Sequence, residues 1–264
     1  MNYIKNLAKF NIVNKEGQTI PFTVNKEQQR FIESMTGKDV ILKSRQIGFS
    51  SVILGIFTLD FLTKENSRSV CISHETKAAQ RLLDRVKYFI KSAEDKGLLV
   101  NLKYNSRNEL SNSEKNSTFY ISAANDTATR GDTITNLHLS ELAFYENPEA
   151  IFSSAVQAVV PTGRIVVEST AHGMNYLHDF WMRSKNGETG FKTHFFDNSF
   201  YSAEFLEQKK RELNELFPQE YPSTDTEAFL SSGDCFFDKA SLAEYLKLKQ
   251  EPIQTFNTFY DLLI

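Results

Sequence analysis

The chain has 264 residues, of which 41% are hydrophobic and 12% aromatic, so it can bury a core as one large domain, with or without a small appendage. Its formal charge of −3 means that the chain has no overall excess of basic residues that would attract nucleic acid, so any DNA contact must rest on a local basic patch. No apolar run approaches the roughly 20 residues that span a bilayer, and no signal peptide is visible, which predicts a soluble intracellular protein. Cys71 and Cys235 lack CxxC spacing, which predicts reduced thiols.

From Asp39 onward, short β-branched runs alternate with longer segments whose apolar residues recur every three or four positions. This alternation is typical of βα units that feed a mostly parallel sheet, and it predicts an α/β fold. Strands are predicted at Val40–Lys43, Ser69–Ser73, Thr118–Ser122, Asn136–Ser140, Arg164–Ser169 and Phe191–Phe196. Helices are predicted at Phe49–Thr63, Thr76–Ala93, Glu149–Val160 and Ala203–Leu216.

These elements divide the chain into three parts. Residues 1–38 form an N-terminal lead-in, residues 39–216 form the α/β core, and residues 217–264 form a C-terminal linker or lid. The last part reads as an irregular segment followed by one helix near residues 239–249.

The stretch 43–51, KSRQIGFSS, follows a predicted strand and opens a predicted helix, where backbone N–H groups and the helix dipole favour a bound phosphate. Against the Walker A pattern G-x-x-x-x-G-K-[ST], it keeps Gly48 and Ser50. Lys43 stands where the first Gly belongs, and Phe49 stands where the Lys belongs. Taken alone, this stretch is equally compatible with an ordinary strand–turn–helix corner.

A bound triphosphate needs a cation near its β and γ oxygens and a hydroxyl on Mg²⁺. Lys43, Arg45 and Ser50 supply these groups, and Arg45 is the stronger candidate for the γ-phosphate. The residues predicted to bind ATP in this loop are Lys43, Ser44, Arg45, Gln46, Ile47, Gly48, Phe49, Ser50 and Ser51.

A second candidate lies about 90 residues further on, where the strand-like segment ITNLHLSE, Ile134–Glu141, ends in a carboxylate. P-loop ATPases place their Mg²⁺-organising acid and their water-activating Glu at such a strand end. Glu141 is therefore the predicted catalytic carboxylate, and Ser50, Ser140 and Glu141 form the predicted metal site. The alternative for Glu141 is a surface carboxylate in a turn.

The loop SRQIGFSS resembles the SRQ-x-GK-[ST]-[ST] loop of phage terminase large subunits, some of which carry the lysine at the front and an aromatic after the Gly. The Arg-Gly step at Arg130, the strand end SELAF, the run RIVVESTAHG and the segment EYPSTDTEAFLSSG follow in the family's order, over roughly residues 25–240. The resemblance implies a P-loop NTPase of the RecA/ASCE type, with a mostly parallel sheet flanked by helices and a small C-terminal appendage.

The resemblance also assigns roles to single residues. Arg130 becomes a candidate arginine finger that reaches the ATP of a neighbouring subunit, or else a solvated turn residue. Ser169 and Thr170 match a coupling motif that senses the γ-phosphate, although a helix cap is the simpler explanation of these two residues alone. Gln28, in NKEQQR, resembles the glutamine of a Q-motif that reads the adenine edge, or else it lies on a polar helix face.

The implied function is an ATPase motor that hydrolyses ATP with Mg²⁺ and translocates double-stranded DNA into a procapsid. The implied partners are a portal protein, a small terminase subunit and identical copies in a ring, without a membrane. The implied location is the host cytoplasm, with transient attachment at the procapsid portal.

Two departures from the family pattern keep an alternative open. Phe49 replaces the usual Lys, and Ser140 replaces the Asp of the usual Asp-Glu pair, so the chain is alternatively a nucleotide- or DNA-binding scaffold that does not hydrolyse ATP. A helicase-like ATPase is a third possibility, for which the chain is too short to hold two motor lobes.

Terminase large subunits continue into an RNase H-like nuclease domain, and that domain is expected to be absent here, because Asp261 is the only acid after Glu251. Four nearby acids are predicted to lie on a solvated loop rather than in a nuclease site. They are Asp225, Glu227, Asp234 and Asp238. The histidine spacing predicts no zinc site.

Overall fold

The computed structural model describes residues 1–98, 100–124, 129 and 131–230, together with Tyr245 and Leu248. Its centre is an eight-stranded sheet with the order β10-β3-β9-β8-β4-β7-β6-β5, and a separate two-stranded hairpin, β1-β2, precedes it in the chain. The strands are β1 (Asn11–Val13), β2 (Thr19–Pro21), β3 (Lys38–Lys43), β4 (Arg68–Ser73), β5 (Leu102–Asn105), β6 (Glu109–Asn112), β7 (Ser117–Ala123), β8 (Ile134–Ser140), β9 (Val159–Ser169) and β10 (Lys192–Phe196).

Helices connect most of the parallel strands. The described α-helices are α1 (Tyr3–Leu7), α2 (Lys26–Ser34), α3 (Phe49–Thr63), α4 (Thr76–Glu94), α5 (Pro148–Gln157), α6 (Tyr176–Lys185), α7 (Ala203–Leu213), α8 (Phe217–Glu220) and α9 (Asp225–Leu230). Short 3-10 helices lie at Leu142–Phe144, Asn198–Phe200 and Asn214–Leu216. In the part of the chain that the structure describes, no helix combines the length and the apolar character that crossing a membrane requires.

Six strands, from β10 to β7, run parallel, while β6 and β5 continue the sheet as an antiparallel hairpin. Side chains alternate between the two faces of the sheet. Ile41 and Cys71 join the core under α3 and α4, whereas Val40 and Val70 join the core under α5 and α6. Both faces are covered, which explains why the central strands read as continuous apolar runs.

The N-terminal lead-in packs directly on this core. Leu7 of α1 and Phe22, after the hairpin, are buried against α3. They fit there because α3 carries Gly55, where an added Cβ would lie 2.5 Å from Leu7 Cδ2 and 3.2 Å from Phe22 Cε1. Phe10 and Phe22 also stack on Phe89 of α4, with ring centroids 5.2 and 5.7 Å apart. The division into 1–38, 39–216 and 217–264 remains a prediction.

The predicted strands are confirmed as β3, β4, β7, β8, β9 and β10, with shifted ends, and the predicted helix Phe49–Thr63 matches α3. The predicted helix Thr76–Ala93 is α4, and Ala203–Leu216 is α7 followed by a 3-10 turn. The predicted end of the helix Glu149–Val160 is wrong. α5 ends at Gln157, because the β-branched pair after it starts β9 and Val159 pairs with Ile134.

Two further expectations are corrected in the C-terminal part. The segment after residue 216 is not irregular throughout, since it forms α8 and α9. Asp225 and Glu227 lie on α9 rather than on a solvated loop; Asp225 accepts hydrogen bonds from Trp181 Nε1 and Lys185 Nζ at 2.9 and 2.7 Å. The helix predicted near residues 239–249, Cys235, Asp234, Asp238, Glu251 and Asp261 lie outside the described residues.

Candidate active site at the carboxyl edge of the sheet

The loop of residues 44–48 joins the end of β3 to the start of α3. Gln46 and Gly48 both adopt left-handed backbone conformations, with φ of 61° and 85°. Gly48 is required here for a second reason, because an added Cβ would lie 2.8 Å from Gln28 Nε2. α3 begins without a side-chain cap, so the N–H groups of its first turn and its dipole are available to an anion.

Gln28 of α2 holds this loop in place through hydrogen bonds. Its Nε2 donates to the carbonyl oxygens of Ile47 and Gly48 at 3.2 and 3.0 Å, and its Oε1 accepts from Asn25 N at 3.1 Å within the capping box that begins α2. Gln28 also lines a cavity of about 610 Å³ between the hairpin, α4 and the loop. The structure thus places Gln28 beside the loop, and its contact with adenine remains a prediction.

Lys43, the last residue of β3, is 5% exposed and lies at the centre of a charged cluster. Its Nζ lies 3.2 Å from Glu141 Oε1 and 3.2 Å from Glu168 Oε2. Burial alone would lower the pKa of Lys43, but the two carboxylates outweigh burial and raise the pKa. Lys43 therefore stays protonated with its ammonium group between the two acids.

Glu141 follows the last residue of β8 and is held in a left-handed conformation, with φ 58° and ψ 48°. A non-glycine residue in this region costs about 1–3 kcal/mol and is typical of functional sites. Its N–H donates to Glu168 O at 2.7 Å, and its Oε2 accepts from Ser169 Oγ and Thr170 N, each at 3.3 Å. The predicted catalytic carboxylate and the predicted coupling residues are thus in direct contact.

Glu168 is the functional candidate that sequence reasoning missed. It is fully buried in β9, and its Oε1 accepts hydrogen bonds from Ser50 Oγ at 2.6 Å and from Ser140 Oγ at 3.1 Å. His138 Nε2 lies 3.4 Å from the same oxygen. Burial would raise the pKa of Glu168, but Lys43 and then His138 outweigh it, and the pKa is lowered. A charged residue within the apolar run RIVVES was the available signal.

His138 is a fully buried residue of β8, and its Nδ1 lies 3.3 Å from Cys71 Sγ of the neighbouring strand β4. Burial would lower the pKa of His138, but the contacts with Cys71 and Glu168 outweigh burial and raise it above its ordinary value. Lys43 and His138 therefore both contact the buried carboxylate of Glu168. These contacts, together with the hydroxyls of Ser50 and Ser140, explain how the charge is tolerated at the centre of the sheet.

A family model described as terminase large subunit, T4likevirus-type, N-terminal, matches residues 40–252, which is most of the chain. The chain belongs to the terminase large subunit family. The resemblance inferred from the loop and from the motifs that follow it is thereby confirmed.

Solved structures of terminases share the fold. The ATPase domain of the large terminase of Thermus phage P74-26 is 18% identical, with a TM-score of 0.61 over 75% of this chain and 92% of that domain. The HK97 bacteriophage large terminase is 17% identical, with a TM-score of 0.62 over 87% of this chain and 50% of that one. The large terminase of a thermophilic bacteriophage in complex with ADP is 15% identical, with a TM-score of 0.58 and coverages of 74% and 51%. This chain thus spans about half the length of the longer terminases that it matches.

The α/β fold predicted for a terminase ATPase domain is confirmed by this likeness. Within that fold, Phe49 cannot replace the lysine that terminases usually carry after the second Gly. Its ring is 1% exposed and packs on Phe31 and Phe196, with centroids 5.9 and 4.3 Å away. Lys43, entering from the preceding strand, brings an ammonium group to the cleft instead.

Arg45 is paired with Glu220 of the C-terminal segment. Its Nη1 lies 2.8 Å from Glu220 Oε2, its N–H donates to Glu220 O at 2.9 Å, and its carbonyl oxygen accepts from Tyr201 OH. The arginine predicted to face the γ-phosphate is thus tied to the C-terminal segment in this structure. The structure does not bring Arg45 into contact with Lys43, Glu141 or Glu168, and its role remains a prediction.

The remaining predicted residues have different positions. Ser44 is buried behind the loop, and its Oγ has no hydrogen-bond partner among the described residues. Ser51 lines the cavity beside Gln28. Arg130 lies outside the described residues, so its role as an arginine finger remains a prediction.

Proposed function

We propose that this chain is the ATP-hydrolysing motor domain of a DNA-packaging terminase. The observation that carries the proposal is the position of Lys43, whose buried ammonium group contacts both Glu141 and Glu168 at the carboxyl edge of the sheet. Ligands of open α/β sheets bind at this edge. A cation there is available to the phosphates although the usual loop lysine is replaced.

In the proposed complex, the loop residues 44–48 and the first turn of α3 surround the phosphates of ATP. Lys43 neutralises charge on the β and γ oxygens, and Arg45 is a second candidate once it leaves Glu220. The adenine base of ATP then lies on the side of the cavity that Gln28 lines. The large terminase of the thermophilic bacteriophage binds ADP in one crystal and ATP-γ-S in another, which supports a nucleotide site in this fold.

The donor groups at the site fit Mg²⁺. Ser50 Oγ is a hard oxygen donor of the kind that Mg²⁺ prefers, and Glu168 Oε1, 2.6 Å away, accepts its proton. The described residues include no group of three or more His, Cys, Asp or Glu that could hold a metal alone. Mg²⁺ in nucleotide sites keeps waters and takes phosphate ligands, so one or two protein ligands suffice. When bound, the metal would neutralise charge that develops on the phosphates.

Glu141 is the proposed base that orients and polarises the attacking water. Its carboxylate is placed by Lys43 on one side and by Ser169 and Thr170 on the other. A change at the γ-phosphate that alters the Glu141 side chain would therefore be transmitted to Ser169 and Thr170. We assign the coupling role to these two residues on that contact, and Arg130 of a neighbouring subunit is the proposed finger.

The same proposal includes the partners. Double-stranded DNA, a portal protein and a small terminase subunit are the proposed contacts, and identical copies in a ring are the proposed active form. The proposed location is the host cytoplasm, with transient binding at the procapsid portal.

A second candidate function is a nucleotide- or DNA-binding scaffold without hydrolysis. Two observations favour it: the buried Phe49, and Ser140, which has no carboxylate to offer a metal. The scaffold predicts that nucleotide binds and is not hydrolysed. The motor predicts turnover that depends on Glu141.

The test is Mg²⁺-dependent ATP hydrolysis at high protein concentration, with nucleotide binding measured in parallel. The variants are Lys43→Ala, Arg45→Ala and Glu141→Gln. Loss of hydrolysis with retained binding in Glu141→Gln supports the motor, and the two basic variants decide which cation serves the phosphates. Absence of nucleotide binding in the wild-type protein would overturn the proposal, whereas binding without turnover favours the scaffold or a requirement for the ring.

A further inference from the structure

The residue before Glu141 is the largest departure from the family pattern at this edge, because Ser140 carries no charge. In the structure Ser140 is not alone. It pairs with Glu168 across the parallel strands β8 and β9, and its Oγ donates to Glu168 Oε1 at 3.1 Å. The carboxylate that position 140 lacks is therefore present one strand away, on the same edge of the sheet.

Glu168 also contacts the hydroxyl that the loop offers to a metal. Ser50 Oγ donates to Glu168 Oε1 at 2.6 Å, a short hydrogen bond that fixes where the hydroxyl proton points. When a carboxylate holds that proton, the lone pairs of the serine oxygen face the other way. This is the orientation that a metal ligand needs.

A purely structural role explains this arrangement poorly. A buried carboxylate is costly unless it is paired, and an apolar side chain of similar size would pack in a central strand without that cost. Glu168 instead contacts the functional residues Lys43, Ser50 and Ser140. Its second oxygen, Oε2, has Lys43 as a charged neighbour but accepts no hydrogen bond among the described residues.

We propose that Glu168 replaces, from β9, the carboxylate missing at position 140, and acts as the Mg²⁺-positioning residue by holding the proton of Ser50. This inference rests on the proposed nucleotide site. It leaves Glu141 free to act on water, so the two acids have separate tasks. It also makes Ser140 a hydrogen-bond donor that orients Glu168, rather than a direct ligand of the metal.

The test is the affinity for ATP-γ-S, measured by titration calorimetry in EDTA and again in Mg²⁺. For Glu168→Gln we expect the gain in affinity that Mg²⁺ gives the wild-type protein to fall by at least about tenfold. The metal-free affinity should change far less. Ser140→Asp added to Glu168→Gln should restore most of the gain, because it returns a carboxylate to the neighbouring strand.

Two variants guard against a trivial loss of folding. Ser50→Ala leaves the Lys43 contacts in place and should reduce the gain in affinity that Mg²⁺ gives. Combined with Glu168→Gln, it should cause no further reduction. Asp39→Asn is the matched control, since Asp39 is a buried carboxylate that contacts His194 Nε2 at 2.8 Å. It lies four residues before Lys43 on β3, about 13 Å away. Its Mg²⁺ gain should equal that of the wild-type protein.

The outcomes separate the two proposals. An unchanged Mg²⁺ gain in Glu168→Gln, or no recovery in the double variant, overturns the role of Glu168 while the nucleotide site stands. An equal loss of affinity with and without Mg²⁺ also overturns it, because Glu168 would then act only by placing Lys43. If the wild-type protein binds no ATP-γ-S in either condition, the proposed function itself fails.

Discussion

Two charged clusters, each built around a buried acid, lie at opposite edges of the same sheet, and they are built differently. At the amino edge, Asp60 Oδ1 lies 3.0 Å from Lys64 Nζ and accepts from Tyr3 OH at 3.0 Å, while Oδ2 pairs with Arg164. At the carboxyl edge, Lys43 is shared by Glu141 and Glu168. The amino edge thus gives one acid two cations, whereas the carboxyl edge divides one lysine between two acids.

The difference indicates which cluster is built to change partners. Asp60 has a cation for each oxygen, so another ligand would gain little there. At the carboxyl edge, by contrast, the two acids share the ammonium group of Lys43, and two of their oxygens, Glu168 Oε1 and Glu141 Oε2, accept hydrogen bonds from exchangeable serine hydroxyls. A cluster of this kind can exchange contacts with phosphates and a divalent cation. The amino-edge cluster is expected to contribute to stability alone.

The largest expected effect is on chemistry at the carboxyl edge. Glu141→Gln should lower the rate of ATP hydrolysis by about 10²- to 10⁴-fold, because the amide cannot accept a proton from water. Nucleotide binding should be retained. Single-turnover hydrolysis measured beside Asp60→Asn checks the comparison, and an equal loss of rate in both variants would contradict it.

Removing the shared cation should affect stability next most strongly. Lys43→Ala leaves two carboxylates without their common partner, and the free energy of unfolding should fall by about 3–5 kcal/mol. The matched change at the other edge is Lys64→Ala, which leaves Asp60 paired with Arg164 and should cost at most about 1 kcal/mol. Urea denaturation measures both. Similar losses in the two variants would show that the clusters do not differ in this way.

The amino-edge acid should matter for stability and not for nucleotide. Asp60→Asn weakens its contacts with Lys64 and Arg164 and should lower the free energy of unfolding by about 1–3 kcal/mol. Affinity for ATP-γ-S should stay within about twofold, because Asp60 lies ten residues beyond Ser50 on α3, about 15 Å along the helix. A large loss of nucleotide affinity would argue against a purely structural amino edge.

Glu168 is expected to contribute to the loss of stability at low pH. Lys43 and His138 lower the pKa of Glu168 below the unfolded value of about 4.3, so the stabilisation is present above that pH and is lost as the pH falls towards the folded pKa. As the pH falls below about 4, this group should lower the free energy of unfolding by on the order of 1 kcal/mol per pH unit. Urea denaturation at several pH values should show a shallower slope for Glu168→Gln; parallel slopes would refute the assignment.

Much of the fold was predictable because local patterns were strong. The apolar run of α3 and the β-branched central strands led directly to the α/β assignment, since both reflect burial between two layers. The hairpin of β5 and β6 was missed, because Leu102–Asn105 carries little apolar periodicity and is stabilised by pairing at the sheet edge. α2 was considered only as an alternative for Gln28, although Asn25 and Gln28 form the capping box at its start.

The site was predictable only as far as chain order allowed. Lys43 and Glu141 follow from where strands end, and the structure brings them together. The role of Glu168 could not be predicted in this way, because its contacts depend on the register that places Ser140 of β8 beside Glu168 of β9. Such pairing joins residues 28 positions apart and leaves no local pattern. The direction of Arg45 was equally hidden, since it depends on a contact with the distant Glu220.

Arg45 supplies the smallest predicted effect on stability and the sharpest test of what the loop arginine does. Its side chain is 59% exposed, so its ion pair with Glu220 is screened by solvent, and Arg45→Ala should change the free energy of unfolding by less than about 1 kcal/mol. Glu220→Gln breaks the same pair and leaves the arginine free. If Arg45 binds the γ-phosphate, Arg45→Ala should weaken ATP-γ-S binding more than ADP binding. Glu220→Gln should leave the affinity for ATP-γ-S unchanged or increase it. Equal losses of ATP-γ-S affinity in both variants would instead indicate that the ion pair acts structurally, by holding the loop against the C-terminal segment.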